Sequence, residues 1–216
     1  MKIAVADCLT LLHGAENAAL ATHSQALAGY PFVTSVPFAL DAAHCPWLLM
    51  SDLAEHCRNA RADGRVSLLL QQESDEVLAA SRMTLLGDLQ AAEPDAATQA
   101  RLLRYCPAFG DYLALGDFHF FRLQPRRVRF IGGFGRMGWV EQGDWQTLPV
   151  LSAADEAALL ASLAPPAEVA LLGVDCFGLD LAQAGRRLRL PFALPGAGSE
   201  LAAAARQALD GFAAAV

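Results

Sequence analysis

The sequence lacks several short motifs that identify common enzyme classes. It contains no G-x-S-x-G elbow, no G-x-x-x-x-G-K-[ST] loop and no H-E-x-x-H pair. Serine hydrolases of the α/β type, P-loop nucleotide triphosphatases and zinc proteases therefore lose their usual signatures. The five histidines are dispersed along the chain, and no metal site is predicted from them.

Paired cysteines and long apolar runs are absent as well. The five cysteines never form a C-x-x-C pair, so neither a disulfide framework nor a zinc site is indicated. No uninterrupted apolar run approaches the roughly 18 residues of a membrane span, and no long apolar segment near the amino terminus ends in a clear cleavage site. We therefore expect a cytoplasmic protein that makes no contact with a membrane.

An excess of basic residues is also missing. The formal net charge is −7 and the isoelectric point is about 5.1, which disfavours sequence-independent binding to the phosphate backbone of a nucleic acid. What the chain does have is apolar content, with 54% hydrophobic residues and a mean hydropathy of +0.30. These values indicate a globular protein with a well-filled core, and they favour a small molecule over a nucleic acid as partner.

The chain divides into two parts by its pattern of elements. Short strand candidates with few long helices between them fill the first part, at residues 18–24, 32–40, 46–51, 65–72, 76–90, 117–124, 126–133 and 137–142. This pattern is typical of an antiparallel barrel or sandwich. A polar break follows, and then a helix, a hairpin and a final helix. We therefore predict a β domain over residues 1–143 and a small C-terminal α/β domain over residues 144–216.

One junction between a strand and a helix stands out, at residues 50–63. A strand ends at Ser51, and the next helix carries His56 and Arg58 in its first two turns. A helix start exposes unpaired backbone N–H groups and the positive end of the helix dipole, so cations placed there favour a phosphate or a carboxylate. An ordinary helix start without any ligand is the alternative.

The order and spacing of seven segments resemble a known group of proteins. These segments span residues 32–40, 48–63, 65–70, 81–89, 101–107, 116–125 and 128–140. The chain resembles the FMN-binding split-barrel superfamily typified by pyridoxamine 5′-phosphate oxidase and, within it, the haem-utilisation (HugZ-type) branch. The resemblance covers about residues 5–143. It implies a mainly β fold with some α structure, namely a split β-barrel followed by a small C-terminal α/β domain.

The resemblance also implies a cofactor, a partner and a set of site residues. It implies a homodimer with two FMN sites at its interface and a small-molecule substrate. The flavin would lie along Thr34, Ser35 and Val36, and Arg82 would reach it from the other subunit. The residues implied at the phosphate are Ser51, His56, Cys57, Arg58 and Asn59. The first expectation is therefore an FMN-binding flavoprotein, an oxidoreductase on an unidentified small molecule.

Departures from the family pattern define the alternatives. The arginine–lysine phosphate pair of the oxidases is replaced by His56 and Cys57, and their substrate-binding arginine–histidine cluster has no equivalent, which argues against pyridoxamine-phosphate oxidase activity itself. A haem-binding or haem-degrading protein of the haem-utilisation type is one alternative. Because no histidine follows His119, a histidine ligand from the C-terminal part is excluded, and His119 or His56, Cys57, or a non-histidine ligand would have to bind the iron. The other alternative is a cofactor-free structural or regulatory dimer.

Overall fold

The computed structural model describes residues 5–72, 74, 76, 80–133 and 136–214, and within them eleven strands and seven helices. The strands are β1 (Asn17–His23), β2 (Pro31–Pro37), β3 (Ala39–Leu40), β4 (Pro46–Ser51), β5 (Arg65–Gln71), β6 (Ser81–Ala91), β7 (Phe118–Gly132), β8 (Met137–Glu141), β9 (Val169–Asp175), β10 (Gly178–Gln183) and β11 (Arg186–Pro191). The helices are α1 (Val5–Gly14), α2 (Glu55–Ala62), α3 (Ala96–Tyr105), α4 (Ala108–Leu113), α5 (Gln142–Gln146), α6 (Ala153–Ala161) and α7 (Gly198–Ala213). Phe134 and Gly135, within the segment 128–140 of the resemblance, lie outside the described residues.

Eight strands form one curled antiparallel sheet. Their order is β2-β1-β5-β6-β7-β4-β3, and β8 pairs with β7. Alternation along the strands turns one set of side chains, including Leu20, Leu68 and Leu85, into a common core. Helix α1 adds Leu9 to this core and α2 adds Cys57, so both helices pack over the concave side. The predicted class, a mainly β split barrel with helices, is confirmed.

Strand β7 is longer than the sequence pattern predicts. Two separate strands were expected on either side of Pro125, but one 15-residue strand runs through it. The register of β7 with β6 shifts between Leu86 and Gly87, and Gly87 is the residue paired with Pro125. A bulge tolerates a residue that cannot donate to the ladder, so the proline interrupts the pairing without ending the strand.

The C-terminal sheet has three strands in the order β11-β10-β9. The prediction of a two-stranded hairpin is wrong, because residues 178–183 form a middle strand that pairs with both neighbours. Leu179 and Leu181 on β10 are fully buried against Leu201 and Ala205 of α7. The small α/β unit is thus present. The boundary predicted between residues 143 and 144 stays a prediction. Trp145, which follows that boundary, lies in the barrel core.

Buried polar contacts join the C-terminal sheet to the barrel. Arg101 on α3 forms a buried ion pair with Glu156 on α6, and the Tyr105 hydroxyl donates a hydrogen bond to Asp180 on β10. Strand β9 lies very close to α3, since a Cβ atom added to Gly173 would lie 2.1 Å from the Tyr105 hydroxyl oxygen. These contacts restrict how the two parts can sit against each other.

Within the described part of the chain, no helix is long and apolar enough to cross a membrane. Cytoplasmic location stays a prediction.

Breaking the buried ion pair between Arg101 and Glu156 should destabilise the protein more than breaking an exposed ion pair. Glu156→Gln leaves the guanidinium groups of Arg101 and Arg104 facing each other without a carboxylate, so we expect the free energy of unfolding to fall by roughly 3–5 kcal/mol. The matched control is Glu141→Gln, which breaks the exposed pair with Arg127 and is expected to cost less than about 1 kcal/mol. Urea denaturation measures both. Equal losses of unfolding free energy in the two variants would contradict a larger contribution of the buried pair to stability.

Candidate functional site

The predicted junction between a strand and a helix lies between β4 and α2. Helix α2 starts at Glu55, with Ala54 as N-cap and no side chain capping it. Ser51 is already engaged, because its hydroxyl donates to Asp117 Oδ2 at 2.5 Å and accepts from the Leu53 N–H at 3.1 Å. The local structure agrees with the prediction, but the Ser51 hydroxyl is used to shape the turn.

Two of the predicted phosphate ligands point into the protein. Cys57 and Asn59 are both 0% exposed. Burial raises the pKa of the Cys57 thiol, which therefore stays protonated at neutral pH. The Asn59 amide oxygen accepts from the Gln25 N–H at 2.9 Å, and its nitrogen donates to the Thr22 hydroxyl at 3.1 Å. In this structure Asn59 ties α2 to β1 and to the loop that follows it.

Two other predicted phosphate ligands, His56 and Arg58, lie nearer the surface. The guanidinium of Arg58 is exposed and donates to the Leu53 carbonyl at 2.6 Å. His56 is partly buried, and burial lowers its pKa, so its imidazole is neutral at physiological pH. The roles of all five residues at a phosphate stay predictions.

The residues predicted to line a flavin ring lie on β2, which is an edge strand. Val36 is 4% exposed and belongs to the barrel core, whereas Ser35 faces solvent. Thr34 shares the side of Val36 because side chains alternate along a strand. The three side chains therefore do not present a common surface.

Arg82 faces away from the barrel core. Alternation on β6 places it on the same side as Thr84 and Leu86. We call this side of the sheet the outer face. It is formed by β1, β2, β5, β6, β8 and the second half of β7. The register aligns side chains across it, since Leu69 pairs with Thr84, Thr84 with Arg129 and Arg129 with Trp139.

The outer face carries exposed apolar side chains at one end. Val33 on β2 is 59% exposed, Leu69 on β5 is 40% exposed and Leu86 on β6 is 39% exposed. Small side chains lie between them on β1, where Ala21 pairs with Val33. Contiguous apolar surface of this kind on a sheet marks an interaction or ligand-binding surface.

Arginines and a tryptophan occupy the other end of the outer face. The guanidinium carbon of Arg127 lies 4.1 Å from the centre of the Trp139 ring, and that of Arg129 lies 5.2 Å from it. Arg127 also pairs with Glu141 at 2.9 Å. Arg129 makes no ion pair with any described residue. Cations beside an apolar surface suit a ligand that is both apolar and anionic.

A shallow groove crosses the outer face near the ends of β1 and β5. It is lined by Ala21, Thr22, His23, Pro31, Arg65, Val66, Ser67, Leu86, Gly87, Asp88 and Arg126. His23 is exposed there, and the groove holds two arginines. Arg65 pairs with Asp63 at 2.5 Å, and Arg126 pairs with Asp88 at 2.5 Å. The groove therefore combines one imidazole and an apolar wall with two arginines, each of which is already paired with an aspartate.

His119, one of the predicted iron ligands, lines a different groove. Its Nε2 lies 3.0 Å from Asp52 Oδ2, and Asp52 also accepts from Arg61 at 2.6 Å. The hydrogen bond from Arg61, followed by the one from His119, lowers the pKa of the Asp52 carboxyl. Glu93 shares the groove. Two carboxylates against one arginine make this a poorer place for an anionic ligand than the outer face.

Comparison with known proteins assigns the family. The pattern of the family described as "CREG, beta-barrel" matches residues 3–147. Because this match covers most of the chain, the chain belongs to the CREG β-barrel family. The resemblance to the haem-utilisation branch of the FMN-binding split-barrel superfamily is thereby confirmed.

Three similar proteins indicate which kind of split-barrel protein this chain resembles. A chloroplastic protein of Arabidopsis thaliana named non-canonical heme oxygenase HOZ is 36% identical over 132 residues, which are 60% of this chain and 40% of that protein. Heme oxygenase HutZ of Vibrio cholerae is 28% identical over 124 residues, which are 54% of this chain and 70% of that protein. A heme binding protein of Mycobacterium smegmatis superposes over 100% of both chains, with a TM-score of 0.63 and 27% identity. The chain thus spans less than half the length of its plant relative.

These relatives correct the first functional expectation. An FMN-binding flavoprotein was expected from the superfamily resemblance, but the three relatives are named for haem. The expectation of FMN as main cofactor is therefore wrong. The physical reason is that a split barrel offers a surface for flat cofactors in general, and the fold alone does not select flavin.

Sequence reasoning missed several residues of the outer face. Arg127, Arg129 and Trp139 were placed on strands, but their common side was not recognised, although strict alternation in residues 127–131 and 137–141 would have shown it. His23 was treated only as one dispersed histidine. Its position beside Arg65 follows from the pairing of β1 with β5, which no local pattern reveals.

The burial of Asn59 predicts a structural effect. Asn59→Ala leaves the Gln25 N–H and the Thr22 hydroxyl without their partner, so we expect the free energy of unfolding to fall by about 1–3 kcal/mol. The neighbouring exposed change Arg58→Ala is the control and is expected to cost less than about 1 kcal/mol. Thermal and urea unfolding measure both. A larger loss for Arg58→Ala than for Asn59→Ala would contradict the structural role of the asparagine.

Proposed function

We propose that this chain binds haem and acts as an oxidoreductase of the haem oxygenase type. The names of its relatives support the class of ligand. The observation that carries the proposal is the outer face, where exposed Leu69 and Leu86 adjoin Arg127 and Arg129. Haem has an apolar ring with two carboxylates, so it requires both kinds of side chain next to each other.

The residues of the outer face fit haem in three respects. Leu69 and Leu86 offer apolar contact to the ring, and Arg129, which lacks a carboxylate partner among the described residues, is available to a propionate. His23 is the imidazole in the groove of this face and is the iron ligand that we propose in place of His119 or His56. Bound haem would supply redox-active iron, and in an oxygenase its own ring is the substrate.

The protein's contribution to such chemistry is binding and orientation. The His23 imidazole would hold one side of the ligand, and Arg129 would hold its carboxylate edge. Because the outer face is open to water in a single chain, a second copy is required to exclude solvent from the ligand.

Haem titration tests the binding site. We expect a Soret band that saturates at one haem per chain, with affinity lowered roughly tenfold or more by Arg129→Ala, since one charge-assisted contact is lost. Arg206→Ala removes an exposed arginine from α7 and is the matched control, with no change expected. His23→Gln should shift the Soret band, while His119→Gln should leave it in place.

The opposite response of the two histidine variants would refute the assignment of His23 as iron ligand. A band shifted by His119→Gln and not by His23→Gln would return the ligand to the residue predicted from the sequence. Absence of a Soret band at micromolar haem would exclude haem binding and favour the cofactor-free dimer. Loss of Soret absorbance after adding a reductant and oxygen, with release of iron, would distinguish an oxygenase from a binding protein.

We also propose that the chain forms a homodimer through the outer face. Large apolar side chains of this face are between 39% and 59% exposed, among them Val33, Leu69 and Leu86. Strand β2 adds an unpaired sheet edge beside them. A two-fold pairing of identical faces would bury this surface and cover the groove.

Sedimentation velocity tests the dimer. We expect a species of twice the 22.9 kDa chain mass and its dissociation by Leu86→Glu, because a carboxylate would be buried at the interface. Leu194→Glu is the control, since Leu194 is 78% exposed in the C-terminal part. A monomer at all concentrations in the parent protein would refute the proposal, as would equal dissociation by both variants.

A further inference from the structure

Two histidines and an aspartate from distant parts of the sequence meet in the interior. His13 lies on α1, His44 on the turn between β3 and β4, and Asp175 at the end of β9. His13 and His44 are 0% exposed and Asp175 is 2% exposed. His13 Nε2 lies 2.9 Å from His44 Nδ1 and 3.6 Å from Asp175 Oδ2, and His44 Nδ1 lies 3.9 Å from the same oxygen.

We propose that His13 Nε2, His44 Nδ1 and Asp175 Oδ2 hold one divalent transition-metal ion, best fitted by Zn²⁺, between the barrel and the C-terminal sheet. The spacing suits such an ion. A triangle with these three sides has a centre about 2 Å from every corner, which is the bond length of zinc to imidazole nitrogen and carboxylate oxygen. Two imidazoles and a carboxylate also match the ligand preference of zinc.

The surroundings of His13 support this assignment. Its other ring nitrogen, Nδ1, lies 2.7 Å from Asp180 Oδ2, and both residues are fully buried. A carboxylate at this distance keeps the proton on Nδ1 and leaves the lone pair of Nε2 directed at the cluster. Metal-binding histidines are commonly held in this way by a carboxylate behind them.

His44 is held at some cost to the structure. Its backbone φ is 59°, in the left-handed region that residues other than glycine seldom adopt. Its Nε2 is buried and has no hydrogen-bond partner among the described residues. A bond from Nδ1 to a metal would compensate for this backbone strain.

The proposed carboxylate ligand already has a cationic partner. Asp175 and Asp180 both pair with Arg189, at 2.8 and 2.9 Å. Asp175 Oδ2 itself accepts a hydrogen bond from Arg189 at 2.8 Å, so the ion would share this oxygen with the guanidinium. A water molecule would take the fourth coordination position of the ion.

The position of the cluster indicates a structural ion. The three ligand residues are buried, so a water in the fourth position could not be exchanged for a substrate as it is at a catalytic metal. His13 and His44 belong to the barrel and Asp175 to the C-terminal sheet, so the ion would join them. Metal binding of this kind is coupled to folding.

Metal analysis of the full chain tests the proposal. Protein produced with added Zn²⁺ and dialysed should hold one equivalent of zinc, and protein unfolded with a chelator and refolded with Co²⁺ should show the visible absorption of four-coordinate cobalt. We expect Asp175→Asn and His44→Gln to lose the ion. Asp180→Asn should weaken zinc binding roughly 10–100-fold through His13. His119→Gln, which removes a histidine outside the cluster, is the control and should retain one equivalent.

Stability of the parent protein gives a second measurement that needs no variant to fold. Removal of zinc by a chelator should lower the melting temperature, and added Zn²⁺ should restore it. Zinc well below one equivalent, with no cobalt absorption, would overturn the proposal, and His44 Nδ1 would then simply donate a hydrogen bond to His13 Nε2. Equal zinc content in the parent protein and in Asp175→Asn would overturn it too, since the ion would lie elsewhere.

Discussion

The buried charges between the barrel and the C-terminal sheet are the constraint on which the rest of the structure depends. Burial alone would raise the pKa of Asp175, but the Arg189 guanidinium brings it down to about 2. Burial likewise opposes the ionised form of Asp180, and Arg189 again holds its pKa well below the usual value. Each carboxylate is therefore ionised only while its partners stay in place. This fixes α1, α3 and the C-terminal strands relative to one another, and hence the orientation of the sheet whose outer face we propose as the haem site.

Much of the fold could be predicted from local patterns. The strand at residues 46–51 follows from a short apolar run, the strand at residues 65–72 from apolar residues at every second position, and the helix between them from helical spacing. Two errors have physical causes. Pro125 was taken to end a strand, but a bulge opposite Gly87 lets β7 continue past it. The middle strand β10 was missed because its residues were read as part of a connection within a hairpin.

The candidate site was less predictable because it depends on which way side chains point. The sequence located a helix start after Ser51, yet the burial of Asn59 follows from the rotation of α2 against β1, a tertiary property. His13 and His44 are 31 residues apart in sequence, and Asp175 lies far beyond both. Only the completed fold brings the three together, so their dispersion in sequence carried no information about their contact.

The closeness of Gly173 to Tyr105 has a consequence for how this family can evolve. A side chain of any size at residue 173 would collide with the tyrosine that donates to Asp180, so in this chain the glycine, the tyrosine and the aspartate depend on one another. Exchange of the C-terminal module between relatives by recombination would separate them. A chimaera would have to carry matching residues on both sides of the joint, so the two halves of the chain are not interchangeable parts.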